Sequence, residues 1–181
     1  MRKISAALVA IALGAAAVVV GLAPASTSGP DYLSVVTFSA GSKNKSAARL
    51  AVTTKAPIPR HADAFIRSNP VVGLAWVDLA TSKAFVVTIH PVLGRDSHQN
   101  PNGWHAHTAT LSGGATPPND FCLASIDSSP TAGISLHGRT MKVNVRKSKL
   151  PVAPQAFDLA TGFTVQHDSA CTSGLAVRRS T

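Results

Sequence analysis

Glutamate is absent from this chain: its eight acidic residues are all aspartates. Glutamate is a good helix former and aspartate a poor one, so this acidic set leans away from helices. The same absence weakens any glycoside-hydrolase reading, because the aspartates are scattered among turn residues and form no carboxylate pair. Cysteine is scarce, with two residues, Cys122 and Cys171, and neither sits in a Cys-x-x-Cys or Cys/His zinc signature. No Gly-x-Ser-x-Gly elbow is present. No internal repeat or low-complexity tract appears. A blue-copper centre needs two histidines, a cysteine and a distant methionine, and Cys122 has no histidine close after it.

The one long apolar run lies at the N-terminus. Arg2 and Lys3 precede an uncharged apolar stretch over residues 4–23, and Ala23-Pro24-Ala25 offers a small-residue cleavage site. Residues 1–25 therefore read as a secretory signal. Their length also suits an uncleaved anchor, the one route to a membrane that the sequence offers. The expected location is secreted or extracytoplasmic. There an even pair of cysteines usually forms a disulfide, here Cys122 with Cys171. The remaining chain is of single-domain size. Its single domain spans residues 32–181, with an N-terminal strand and basic loop region over 26–70 and the core over 71–181.

The formal charge is +9, and removal of Arg2 and Lys3 lowers it by two. Lys43, Lys45, Arg49, Lys55, Arg60 and Arg67 form one basic group; Arg139, Lys142, Arg146, Lys147 and Lys149 form another. Such a surface attracts an anionic cell-surface polymer or lipid head groups. Nucleic acid is not an expected partner of an exported chain with no recognition motif.

Short β-branched and aromatic runs separated by turn residues predict strands. The run over 33–38 reads as a first strand, 39–46 as a polar loop, and 47–54 as a strand or short helix. Residues 63–67 suit one helical turn before Pro70. Residues 71–79 and 83–90, split by Ala80-Thr81-Ser82, predict a hairpin. Further strands are expected over 104–111, 121–126, 134–136, 140–146, 157–165 and 175–177, with His137-Gly138-Arg139 as a second tight turn. About eight short strands at such intervals predict an all-β protein, an antiparallel β-sandwich with Greek-key connections as one form and a small barrel as the alternative.

Against this polar and aliphatic background, four of the seven histidines, His90, His98, His105 and His107, fall close together. Residues two apart on a strand share a face, so His105 and His107 present two imidazoles about 7 Å apart at Cα. That spacing lets both reach one ion, and imidazole suits copper and zinc. His90 and His98 are the candidate additional ligands. Asp96 could orient a histidine as an outer acceptor, or simply cap its turn.

Gly103-Trp104-His105-Ala106-His107 resembles the Gly-aromatic-His-x-His strand of the copper/zinc superoxide dismutases. Cys122 and Cys171 hold the relative places of that family's disulfide, and residues 170–177 are similar to its last strand. The chordin-type extracellular domain also carries a His-x-His on a β-framework. The resemblance implies a β-sandwich with His105 and His107 as copper ligands. The chain departs from the dismutase pattern after Cys122, where only His137 and His167 remain and no Gly-x-His-Phe-Asn-Pro segment occurs, so the activity does not carry over. Three readings follow: a non-enzymatic copper- or zinc-binding β-sandwich of the secreted or envelope fraction, a superoxide dismutase-like redox enzyme, and a structural or adhesive module holding anionic envelope polymers.

Overall fold

The computed structural model describes residues 29–90, 103–113 and 121–180. The expected signal over 1–25, together with His98 and Asp96, lies outside those residues. Within them ten strands pair, all antiparallel, in two sheets. β1 (Val35–Ser42), β2 (Ala47–Thr54), β7 (Gly133–His137) and β8 (Thr140–Arg146) form an open sheet in the order β1-β2-β8-β7. β3 (Val71–Asp78), β4 (Lys83–Ile89), β5 (His105–Ser112), β6 (Phe121–Ser128), β9 (Leu159–His167) and β10 (Leu175–Ser180) close into a barrel in the order β10-β6-β5-β4-β3-β9. The all-β antiparallel architecture is as expected, and one of its sheets takes the barrel form.

Strand alternation explains how the two sheets share a core. Val72, Leu74 and Trp76 of β3 and Phe85, Val87 and Ile89 of β4 point out of the barrel. They pack there against Leu50 and Val52 of β2 and Met141 and Val143 of β8. The intervening residues, Ala75, Val77, Ala84 and Val86, face the barrel interior with Leu111, Phe163, Val165 and Val177. β3 and β4 are thus apolar on both sides, which is why they read as continuous hydrophobic runs.

Two local expectations are revised. The first strand starts later and runs further, because Asp31–Leu33 forms a 3₁₀ turn and β1 continues to Ser42. The polar residues of the expected loop pair with β2, Ser39 opposite Ala51 and Ser42 opposite Ala48. β1 is a largely exposed edge strand, so its ladder needs no apolar alternation. The segment 47–54 is a strand, with Ala48, Leu50 and Val52 buried on alternate positions. The helical turn before Pro70 is α1 (Ala64–Ser68), capped by Asp63, whose Oδ1 accepts from the Ile66 N–H at 2.9 Å.

Glycine is required where the backbone turns left-handed or another segment comes close. Gly138 holds the β7–β8 turn at φ +58°. Gly162 lets β9 lie directly under the Asp31–Leu33 turn, where any Cβ would fall on the Leu33 carbonyl. Cys122 on β6 and Cys171 in the β9–β10 turn form the disulfide, with Cα atoms 5.4 Å apart. A disulfide fits an oxidising, extracytoplasmic environment. No helix among the described residues is long and apolar enough to cross a membrane.

Candidate metal centre

Three of the four expected ligands come together at one end of the barrel. β4 and β5 are antiparallel neighbours, with Thr88 opposite His105 and Val86 opposite His107. Alternation then turns Ala84, Val86, Thr88 and His90 inward on one side, and His105, His107, Ala109 and Leu111 inward on the other. His90 follows the end of β4, so the hairpin partners bring it beside His105 although a long connection separates them in sequence. Ligand atoms of His90, His105 and His107 all lie within 4.8 Å of one another. His90 and His107 are buried and His105 is half-buried.

The rings are held at defined angles. His105 meets His90 and His107 edge-on, with centroids 4.3 Å and 5.0 Å away, while His90 and His107 are nearly parallel at 5.8 Å. His105 Nδ1 lies 3.0 Å from the Gly103 carbonyl oxygen, which can only accept. In the neutral ring Nδ1 therefore carries the proton, and Nε2 presents a lone pair. In the 2.6 Å contact between His105 Nε2 and His90 Nε2, His90 then donates. His107 Nδ1 is 2.9 Å from Ser129 Oγ, just past the end of β6.

These contacts suit a cation. A histidine that ligates a metal almost always gives its other ring N–H to a carbonyl, carboxylate or water, fixing tautomer and orientation. Gly103 does this for His105, and Ser129 can do it for His107. Two nitrogens on a tetrahedral ion at 2.0–2.1 Å stand about 3.3 Å apart. Admitting an ion between His90 and His105 thus needs a movement of under about 1 Å and transfer of the His90 proton away from Nε2. Three histidines would leave the fourth tetrahedral position open.

In sequence neither face of the His-x-His strand is cleanly apolar, since His105 and His107 alternate with Trp104, Ala106, Thr108 and Thr110. The structure gives the reason: one side of β5 turns toward the barrel interior, while the other runs from the core between the sheets at Ala106 to a half-buried Thr110. Trp104 and Ala106 belong to the core between the sheets, and Trp104 Nε1 donates to the Pro59 carbonyl at 2.8 Å. The orienting groups, Gly103 and Ser129, were not anticipated. Nothing in Ser128-Ser129-Pro130 marks them, because β6 reaches His107 through sheet pairing, seen in Thr108 opposite Ser128. His167, on β9, stands exposed at the same end of the barrel, and His137 lies in the distant β7–β8 sheet.

The second basic group lies on the open sheet. Met141, Val143 and Val145 of β8 face the core, so Lys142 and Arg146 face outward. Arg49 of β2 joins them, its Nε donating to Asn144 Oδ1 at 3.4 Å. Arg139 is exposed in the β7–β8 turn, and Lys147 and Lys149 follow β8 in a 3₁₀ turn. Comparison with protein-family models, with curated proteins and with solved structures finds no match to this chain.

Proposed function

We propose that this protein is a secreted or envelope-associated, non-enzymatic β-protein that binds a copper or zinc ion through His90, His105 and His107. The observation that supports it is the convergence of three imidazoles, with the His105 tautomer set by the Gly103 carbonyl. The test is uptake of copper and of zinc by protein purified without a histidine tag. His105→Ala and His107→Ala each remove most of the affinity, while Ser129→Ala costs roughly 10–100-fold, as loss of an orienting partner does. His167→Ala matters much less. Ligating imidazoles must be neutral, so affinity falls in acid as protons compete with the metal. No uptake at neutral pH, or uptake unchanged in the double variant His105→Ala, His107→Ala, sinks the reading. Superoxide consumption by the copper-loaded protein would instead favour the dismutase-like enzyme.

A second reading has its own observation. The outward face of the open sheet carries Arg49, Lys142 and Arg146, and the strands of that sheet contain no acidic residue. Such a face suits an anionic envelope polymer or lipid head groups, held by charge rather than by a shaped site.

A further inference from the structure

The barrel interior contains a cavity of about 550 Å³, within the range of a few hundred to about a thousand Å³ typical of small-molecule sites. Small barrels are ordinarily filled by their own inward side chains. Here Ala75, Ala84 and Ala109 occupy inward positions on three consecutive strands, and the space they leave is bounded by valines, Leu111 and Phe163. Water finds few polar partners on such a lining. A void of this size would also deprive the lining of van der Waals contact, which is costly in a folded protein. The cavity is apolar over most of its wall; His90 and His107 line one end, and Thr161 and Arg179 also contribute to its lining.

A separate observation marks that polar end. Thr88 lines the cavity and is 3 % exposed, and its hydroxyl has no hydrogen-bond partner among the described residues. A buried hydroxyl without a partner is uncommon and carries a desolvation cost. Thr88 stands one inward position deeper than His90, beside two imidazoles, in a protein of formal charge +9. A donor hydroxyl at the head of an apolar chamber, in a positive field, suits an anionic acceptor carried on a hydrocarbon body. Leu175 and Ile126 border the same cavity and are 39 % and 51 % exposed, apolar surface that a passing hydrocarbon chain would cover.

We infer that the barrel binds an alkyl monocarboxylate of medium chain length, its tail among Ala84, Val86, Ala109 and Phe163 and its carboxylate on Thr88 and the His90–His107 end. The inference does not require the metal, so its test is run in the presence of a chelator. Dodecanoate is titrated into the full-length protein by calorimetry at neutral pH. The expected result is saturable one-to-one binding, with acetate, the head group without the tail, failing to compete. Ala75→Leu and Ala109→Leu, which fill the chamber from two strands, weaken binding at least about tenfold. Thr88→Val weakens it by about tenfold, the worth of one hydrogen bond. It does so without lowering the thermal midpoint, because no protein contact of the hydroxyl is lost; this variant keeps the test valid should a filled barrel fail to fold. No binding of dodecanoate overturns the inference. So does binding undiminished in the folded Thr88→Val and filled variants, which would place the fatty acid on the basic exterior.

Discussion

Tyr32 is the only tyrosine, and its surroundings show how one side chain can report on the whole fold. Its hydroxyl donates to Asp63 Oδ1 at 3.2 Å, the same oxygen that caps α1. Burial, then the Asp63 charge and this hydrogen bond, push its ionisation well above the ordinary tyrosine value. Because the folded value exceeds the unfolded one, the stabilisation is complete below about pH 10 and is lost as pH rises beyond it. In an alkaline titration, tyrosinate absorbance should stay absent while the fold persists and then rise together with unfolding. A tyrosinate step near pH 10 in protein that is still folded would contradict this placement. Asp127, on β6, behaves in the reverse sense. Ser125, then Thr110 and Lys83, donate to its carboxylate and hold it below the usual aspartate range, against a smaller effect of burial. Its contribution is present above about pH 4 and fades in acid.

Among the elements, the hairpins formed by neighbours in sequence were the most legible. The β3–β4 pair follows directly from two β-branched runs flanking Ala80-Thr81-Ser82, and β7–β8 from the Gly138 turn. β1 was less legible because an exposed edge strand carries no burial pattern, and its second half pairs through Ser39, Ala40, Gly41 and Ser42. The disulfide acts at this scale, tying β6 to the β9–β10 turn across 49 residues of chain. That connection holds the seam where β10 meets β6, which among the described residues pairs Ala176 with Cys122 and Val177 with Phe121. A loop of this length implies roughly 4 kcal/mol of stabilisation, mainly through the unfolded chain. Denaturant unfolding of a Cys122→Ala, Cys171→Ala variant should show a loss of that order. A loss below about 1 kcal/mol would mean that the seam holds without the bond. Two free thiols in protein isolated from an oxidising compartment would contradict the pairing itself.

At the scale of the whole molecule, charge is distributed unevenly over two structural layers. The acid-free outer face of the open sheet is far from the ring of contacts around Asp127, where Lys83 and Asp127 pair at 3.2 Å. Binding to anionic vesicles or an acidic polysaccharide should therefore weaken steeply with salt, since exposed charges are screened beyond roughly 8 Å at physiological ionic strength. The triple variant Arg49→Gln, Lys142→Gln, Arg146→Gln should bind several-fold more weakly at low salt. Binding insensitive to salt, or equal in the triple variant, would rule the sheet face out as the contact surface.

The sequence by itself determined the strand-rich class, the shared side of His105 and His107 with Ala109 and Leu111, and the pairing of the two cysteines. These depend on the two-residue period of a strand and on covalent chemistry, both local. The meeting of His90 with His105 was within reach, since antiparallel neighbours align their ends, but the register was not readable through the intervening turn-rich segment. Only the tertiary structure decided that six strands close on themselves. Closure depends on β9 pairing with β3 and β10 pairing with β6, partners far apart in the chain and unmarked in their side chains. That closure turns one face of β3, β4 and β5 into the wall of a chamber and the other into a shared core. It also leaves Thr88, an ordinary strand residue in the sequence, as a buried hydroxyl facing an apolar space.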